Sequence, residues 1–209
     1  MDFENLKKGA DEILNRLAQA MKNPDGSLHP QSFLCATGSL AGYSCQYDIR
    51  NEYVRGKGLT EDNVFMIVRD KQGNKFYFGE LLDNLLAGDR FSVTSFVGGA
   101  LENAGVKLPD VQDIFRYVSF SAGGEMFGKV RSCPTGETMD GYLKILWKPL
   151  LPTAEKYARK GETHILYGIC VQKALNICVK SVNPKECGRI VLESAVSMAR
   201  YSLEGNTAQ

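Results

Sequence analysis

The chain is poor in histidine, in tryptophan and in net charge. Its 209 residues include two His and one Trp, and 25 Lys and Arg stand against 24 Asp and Glu. Histidine chemistry is therefore confined to His29 and His164. Neither has a second His or a Cys three or four positions away, the spacing that puts two ligands on one helix face, so no metal site is expected. There is no CxxC, no GxSxG, no GxGxxG and no GxxxxGK[ST]. Those absences remove zinc ribbons, thioredoxin-type redox sites, the nucleophile elbow and the nucleotide fingerprints, and no cofactor is expected. A net charge of +1 argues against nucleic acid or an anionic membrane as partner.

A long apolar run is also missing. The longest stretch without charge, Pro30 to Tyr47, carries Gln31, Ser32, Thr37, Ser39, Ser44 and Gln46, too polar for a lone membrane span. The opening MDFENLKKGA places Asp2 and Glu4 ahead of any basic residue and reads as no secretory signal. The six cysteines, Cys35, Cys45, Cys133, Cys170, Cys178 and Cys187, are accordingly expected as reduced thiols of a cytoplasmic protein.

What is present is enough apolar content for a core, 44% against 23% charged. Phe3, Leu6, Ala10, Ile13, Leu17 and Ala20 recur three and four apart, an amphipathic helix with a narrow stripe that stops at Asn23-Pro24-Asp25-Gly26. Residues 1–22 are expected as a helical unit, either an arm or packed on the body, and residues 23–209 as one helical domain with a small sheet. Pro30 opens the next helix at its favoured first position, and Gly38 and Gly42 on that helix give a face without bulk. Such a face fits either close internal packing or a helix crossing at a two-fold interface.

The runs NVFMIVRD (63–70) and KFYF (75–78) flank Lys71-Gln72-Gly73-Asn74 and predict a hairpin. The alternation of Tyr47, Ile49 and Tyr53 with Asp48, Arg50 and Glu52 predicts a third strand over 47–53, so the sheet is placed near residues 46–79. The charges there read as a solvated face. Helical periods follow over 80–88, 91–104 and 110–118, then over 142–147 with a break at Pro149 and Pro152. Two further helices begin at Thr163 and at Asn183-Pro184-Lys185-Glu186, a cap with Pro at the first position. His164 reads as a helix-start residue. The sum is an α+β protein, predominantly helical, with seven or eight helices and a small antiparallel sheet.

The segment from Ser121 to Cys133 breaks the helical rhythm with glycines and is the strongest candidate for a working loop. Gly123 and Gly124 allow backbone amides to turn inward, Lys129 and Arg131 supply positive charge, Glu125 lies between them, and Cys133 is a candidate nucleophile. The ligand such a loop would take is anionic, a phosphate or carboxylate. Two functions follow. The favoured one is a non-catalytic protein acting through self-association, as a homodimer, or through a protein partner. It rests on the N-terminal stripe, the small-residue face and the nearly all-apolar helix at 164–179. The other is an anion-binding protein or enzyme using loop 121–137.

Overall fold

The computed structural model describes residues 1–131 and 137–203. Among these, seven long helices surround one core and a two-stranded antiparallel sheet lies at its side. The α+β class, predominantly helical, is as expected.

Helix α1 (Phe3–Met21) starts where Asp2 Oδ1 accepts a hydrogen bond from the Asn5 amide at 3.1 Å. Its stripe is not left open. Leu6, Ala10, Ile13 and Leu17 are buried against α7 (Met139–Tyr157) and α8 (Thr163–Cys178), so α1 is part of the body rather than a free arm. Burying one such leucine contributes about 1.5–3 kcal/mol.

Helix α2 (Pro30–Ile49) is capped by His29, whose Nδ1 accepts from the Ser32 amide at 3.3 Å. It is buried on nearly every side and is the axis of the fold, flanked by α8 and by α9 (Pro184–Arg200). Two of its buried hydroxyls are satisfied within the helix: Thr37 Oγ1 donates to the Phe33 carbonyl and Ser39 Oγ to that of Cys35. Gly38 and Gly42 are spent on internal packing. A Cβ on Gly38 would lie 2.6 Å from the Val191 carbonyl oxygen, and one on Gly42 would fall on the carbonyl of Ala195. The two backbones meet because these positions carry no side chain.

The third strand over 47–53 does not form. Residues 47–49 end α2, and Arg50–Arg55 continue it as a π-helical segment. The alternation was a poor guide because two of its charges are internal. Asp48 bonds His164, and the buried Arg50 forms an ion pair with Glu61, Nε 3.0 Å from Oε1, with its guanidinium 4.5 Å from the Tyr77 ring centre. The sheet is β1 (Met66–Arg69) with β2 (Lys75–Phe78), in the register Met66↔Phe78 and Val68↔Phe76. On its far side β2 makes a single bridge, Phe76↔Tyr201, with the residue that follows α9.

After the one-turn α3 (Glu61–Val64) and the hairpin come α4 (Glu80–Asp83), which runs on as a π-helical segment to Gly88, then α5 (Val93–Asn103) and α6 (Val111–Ser121). Helix α7 shows no break at its prolines. The carbonyls that Pro149 and Pro152 leave without an amide partner are those of Ile145 and Lys148, both exposed residues, so the lost bonds cost less than they would in the interior. Arg16 also ties this stretch to α1 by donating to Pro149 O and to Thr153 Oγ1. No helix of the described residues is long and apolar enough to cross a membrane.

Candidate functional site

The Gly-rich segment runs from the end of α6 towards α7 and is folded by its own turns. The Gly124 amide donates to Ser121 O at 2.8 Å and the Phe127 amide to Gly124 O at 3.1 Å. Gly123 sits at φ +78°, a left-handed conformation that favours glycine, and any Cβ there would press on Asp70 at 2.8 Å. Loop and hairpin are therefore in direct contact. Phe127 adds a second tie, edge-to-face with Phe76 at 4.9 Å between ring centres.

Arg131 closes the segment, and its charge is committed within the chain. Its Nε lies 2.6 Å from Glu193 Oε1, its backbone amide donates to Glu193 Oε2 at 2.9 Å, and its Nη2 lies 2.8 Å from Asp113 Oδ2. The guanidinium stands 4.3 Å from the ring centre of Tyr117. Glu193, on α9, is fully buried. The two hydrogen bonds to it are the solvation that a buried carboxylate requires.

The sequence-derived candidates therefore separate. Gly123 and Gly124 line a surface cleft of about 370 Å³. Arg131 faces α9 and α6 instead, while Glu125 and Lys129 are exposed and do not line that cleft. Cys133 lies outside the described residues. The rest of the cleft comes from positions that the sequence did not single out: Asp70, Gln72 and Asn74 of the hairpin turn, Phe76 of β2, Phe127 of the loop, Asp140 of α7, and Tyr201. The one available signal was the Asp-x-x-Gly-Asn turn, whose aspartate usually bonds the backbone two residues on.

Both carboxylates are held ionised. Burial alone would raise Asp70, but donors from Asn74, Gln72 and Gly73 outweigh it and its pKa lies below the ordinary carboxylate value. At Asp140, too, burial is outweighed, by Lys144 and Thr138, and the result is again below the ordinary value. Lys144 Nζ lies 2.8 Å from Asp140 Oδ2 and 5.7 Å from the centre of the Tyr201 ring.

A second charged feature borders this region. Arg200 at the end of α9 is buried, lies 3.0 Å from Asp83 Oδ1 through Nη2, and is flanked by Phe78 and Phe115 at 4.5 and 5.4 Å. Its Nε and Nη1 have no partner among the described residues. Burial lowers its pKa against the pull of Asp83. Two other clefts are basic: one of about 510 Å³ with Lys107, Lys185 and Arg189, the other of about 400 Å³ with Arg55, Arg159 and Lys160. All six of those cations are exposed side chains.

Both histidines are engaged at helix starts. His29 Nδ1 lies 2.8 Å from Ser32 Oγ, and buried His164 holds Asp48 Oδ2 at 2.7 Å through Nδ1 and 2.8 Å through its backbone amide. Among the described residues no three His, Cys, Asp or Glu gather closely enough to hold a metal ion. Comparison with known protein families, curated proteins and solved structures gives no match.

Proposed function

We propose that the protein is a non-catalytic association module of the cytoplasm that pairs with a second copy of itself through the outer edge of β1. One observation carries the reading. Met66 and Val68 on β1, Phe120 near the end of α6 and Met126 in the Gly-rich loop are 62%, 43%, 86% and 51% exposed. The contacts of Asp70 with Gly123 and of Phe76 with Phe127 bring together the elements that carry them. Apolar side chains grouped on a surface in this way mark association sites in soluble proteins.

The backbone supports the same surface. Among the described residues the outer edge of β1 has no strand partner for its amides and carbonyls, and a two-stranded sheet is marginal by itself. Antiparallel pairing of β1 with its copy about a two-fold axis makes four strands and buries both sets of apolar side chains. The features that suggested a dimer from the sequence are used within the chain, so the proposed surface is a different one. The cytoplasmic reading rests on Cys35, Cys45, Cys170, Cys178 and Cys187, all buried thiols. The engaged state of both histidines supports the non-catalytic reading.

Light scattering tests it. A mass of two chains is expected at high micromolar concentration, and Met66→Lys with Phe120→Ser should return a monomer whose melting temperature is unchanged. A wild-type mass that stays at 23.1 kDa over the same range overturns the reading.

A further inference from the structure

The chain has six methionines, and they divide sharply by exposure. Met139 and Met198 are sealed in the core and Met21 is half-buried against it. Met66 and Met126 are 62% and 51% exposed, both on the surface proposed for pairing, and Met1 at the chain start is 51% exposed. We propose that Met66 and Met126 are a peroxide-responsive modification site, and that their oxidation to the sulfoxide ends pairing through β1. The proposal rests on the pairing reading and adds its regulation.

The hairpin register relates the two thioethers. Met66 and Val68 stand opposite Phe78 and Phe76, and residues directly opposite in antiparallel strands share a face. Phe127 lies edge-to-face on Phe76, and Met126 is the residue before it, its carbonyl accepting from the Tyr117 hydroxyl at 3.4 Å. Phe76 is buried, so this face of the hairpin is covered at β2 and open at β1. Both methionines therefore meet solvent in the single chain. In the reaction a sulfur lone pair attacks hydrogen peroxide; an S–O bond forms and the O–O bond breaks. The hydroxide that leaves takes up the proton of the transferred oxygen and becomes water. Sulfur gives up two electrons and the peroxide gains them. The product is a polar group with a strong acceptor and no donor of its own. Val68, Phe120 and their counterparts in a second copy have no side-chain donor to offer, so burying the sulfoxide between them carries a desolvation cost. Pairing in turn covers Met66. Oxidation and pairing thus exclude each other.

The exclusion makes the test directional. The full-length protein is treated with hydrogen peroxide, quenched with free methionine, and sized by light scattering over a concentration series. Peptide mass spectrometry reads the oxygen added at each methionine. Oxidation is expected at Met66 and Met126 and not at Met139 or Met198, with the dissociation constant raised about tenfold, or by about 1.4 kcal/mol. Raising the protein concentration through the pairing range should slow oxidation at Met66 and leave that at Met1 unchanged. Met66→Leu with Met126→Leu keeps an apolar side chain of similar size without the sulfur; it should pair as the wild type does and stay paired after peroxide. Untreated protein at the mass of one chain overturns the pairing reading and this proposal together. Untreated protein that pairs, and stays paired once both methionines carry oxygen, overturns this proposal alone. So does a double leucine variant that comes apart in peroxide, or oxidation at Met66 that ignores protein concentration.

Discussion

Glu193 is sealed in the interior, and Arg131 reaches it from a loop 62 residues earlier in the chain with both its backbone amide and its guanidinium. The pair fastens the Gly-rich segment to α9, and Asp113 extends the same fastening to α6. Removing Arg131 leaves a buried carboxylate without its counter-charge, a loss of the order of 3–5 kcal/mol. Arg131→Ala should therefore lower the chemical-denaturation midpoint sharply. Adding Glu193→Gln should recover part of the loss, because the neutral amide costs less to keep buried. Equal stability of Arg131→Ala and wild type would show that the fastening contributes nothing.

The contact between Gly42 and Ala195 sets the separation of α2 and α9. A methyl group at Gly42 meets backbone atoms of α9, which cannot swing aside as a side chain end does. Gly42→Ala should destabilise by about 1–3 kcal/mol or more, even though alanine is the better helix former. At Gly98 the nearest atom to a new Cβ is the side chain of Leu108 at 3.9 Å, so Gly98→Ala should be neutral or stabilising. Thermal melts of the two variants check the contrast, and a stable Gly42→Ala would mean that α2 and α9 have room to part.

The thiols give an ordering. Burial pushes Cys178 up to about 11 and raises Cys170 further. At pH 8 a thiol with a pKa of 11 is about one part in a thousand thiolate, and the thiolate is the reacting form. Alkylation of the folded protein should be slow at both, with Cys178 ahead of Cys170, and fast at both in denaturant. Mass-spectrometric mapping of the labelled positions reads the order. Cys170 labelling first in the folded state would contradict the placement of α8 at the centre.

What could be read in the sequence divides along physical lines. Helix periods, caps and the hairpin depend on neighbours within a few residues, and Asp2, Pro30, Asn183 and the turn after Asp70 announced them. The third strand failed because Asp48 and Arg50 look like surface charges until His164, Glu61 and Tyr77 are brought beside them from elsewhere in the chain. Arg131 was visible as a charge, but its carboxylates, Glu193 and Asp113, are distant in sequence and nothing local marks them as its partners. The cleft has the same origin. Its aspartates stand at positions 70 and 140, and only the packing of loop on hairpin gives them a common wall.

Acid should loosen this joint before the rest of the fold. Asp140 titrates below its ordinary value, since bonds from Lys144 and Thr138 outweigh the opposing effect of burial, and Asp113 is lowered chiefly by its bond from Arg131. A carboxylate whose folded pKa is depressed stabilises the fold at pH above its unfolded value, near 3.9, and that contribution is lost as pH falls through the lower folded value. The contribution is therefore lost in acid, below about pH 4, not in the neutral range. Melting temperatures followed through that window should fall for the wild type. In Asp140→Asn the starting stability is lower, because the charge partner of Lys144 is gone, and the fall on acidification is shallower, because one titrating group has been removed. Amide exchange at Gly128 and Met139, which flank the joint, should accelerate over the same interval, while that of α2 residues stays slow. Parallel curves for Asp140→Asn and wild type would remove Asp140 from the acid response and place its cause elsewhere in the molecule.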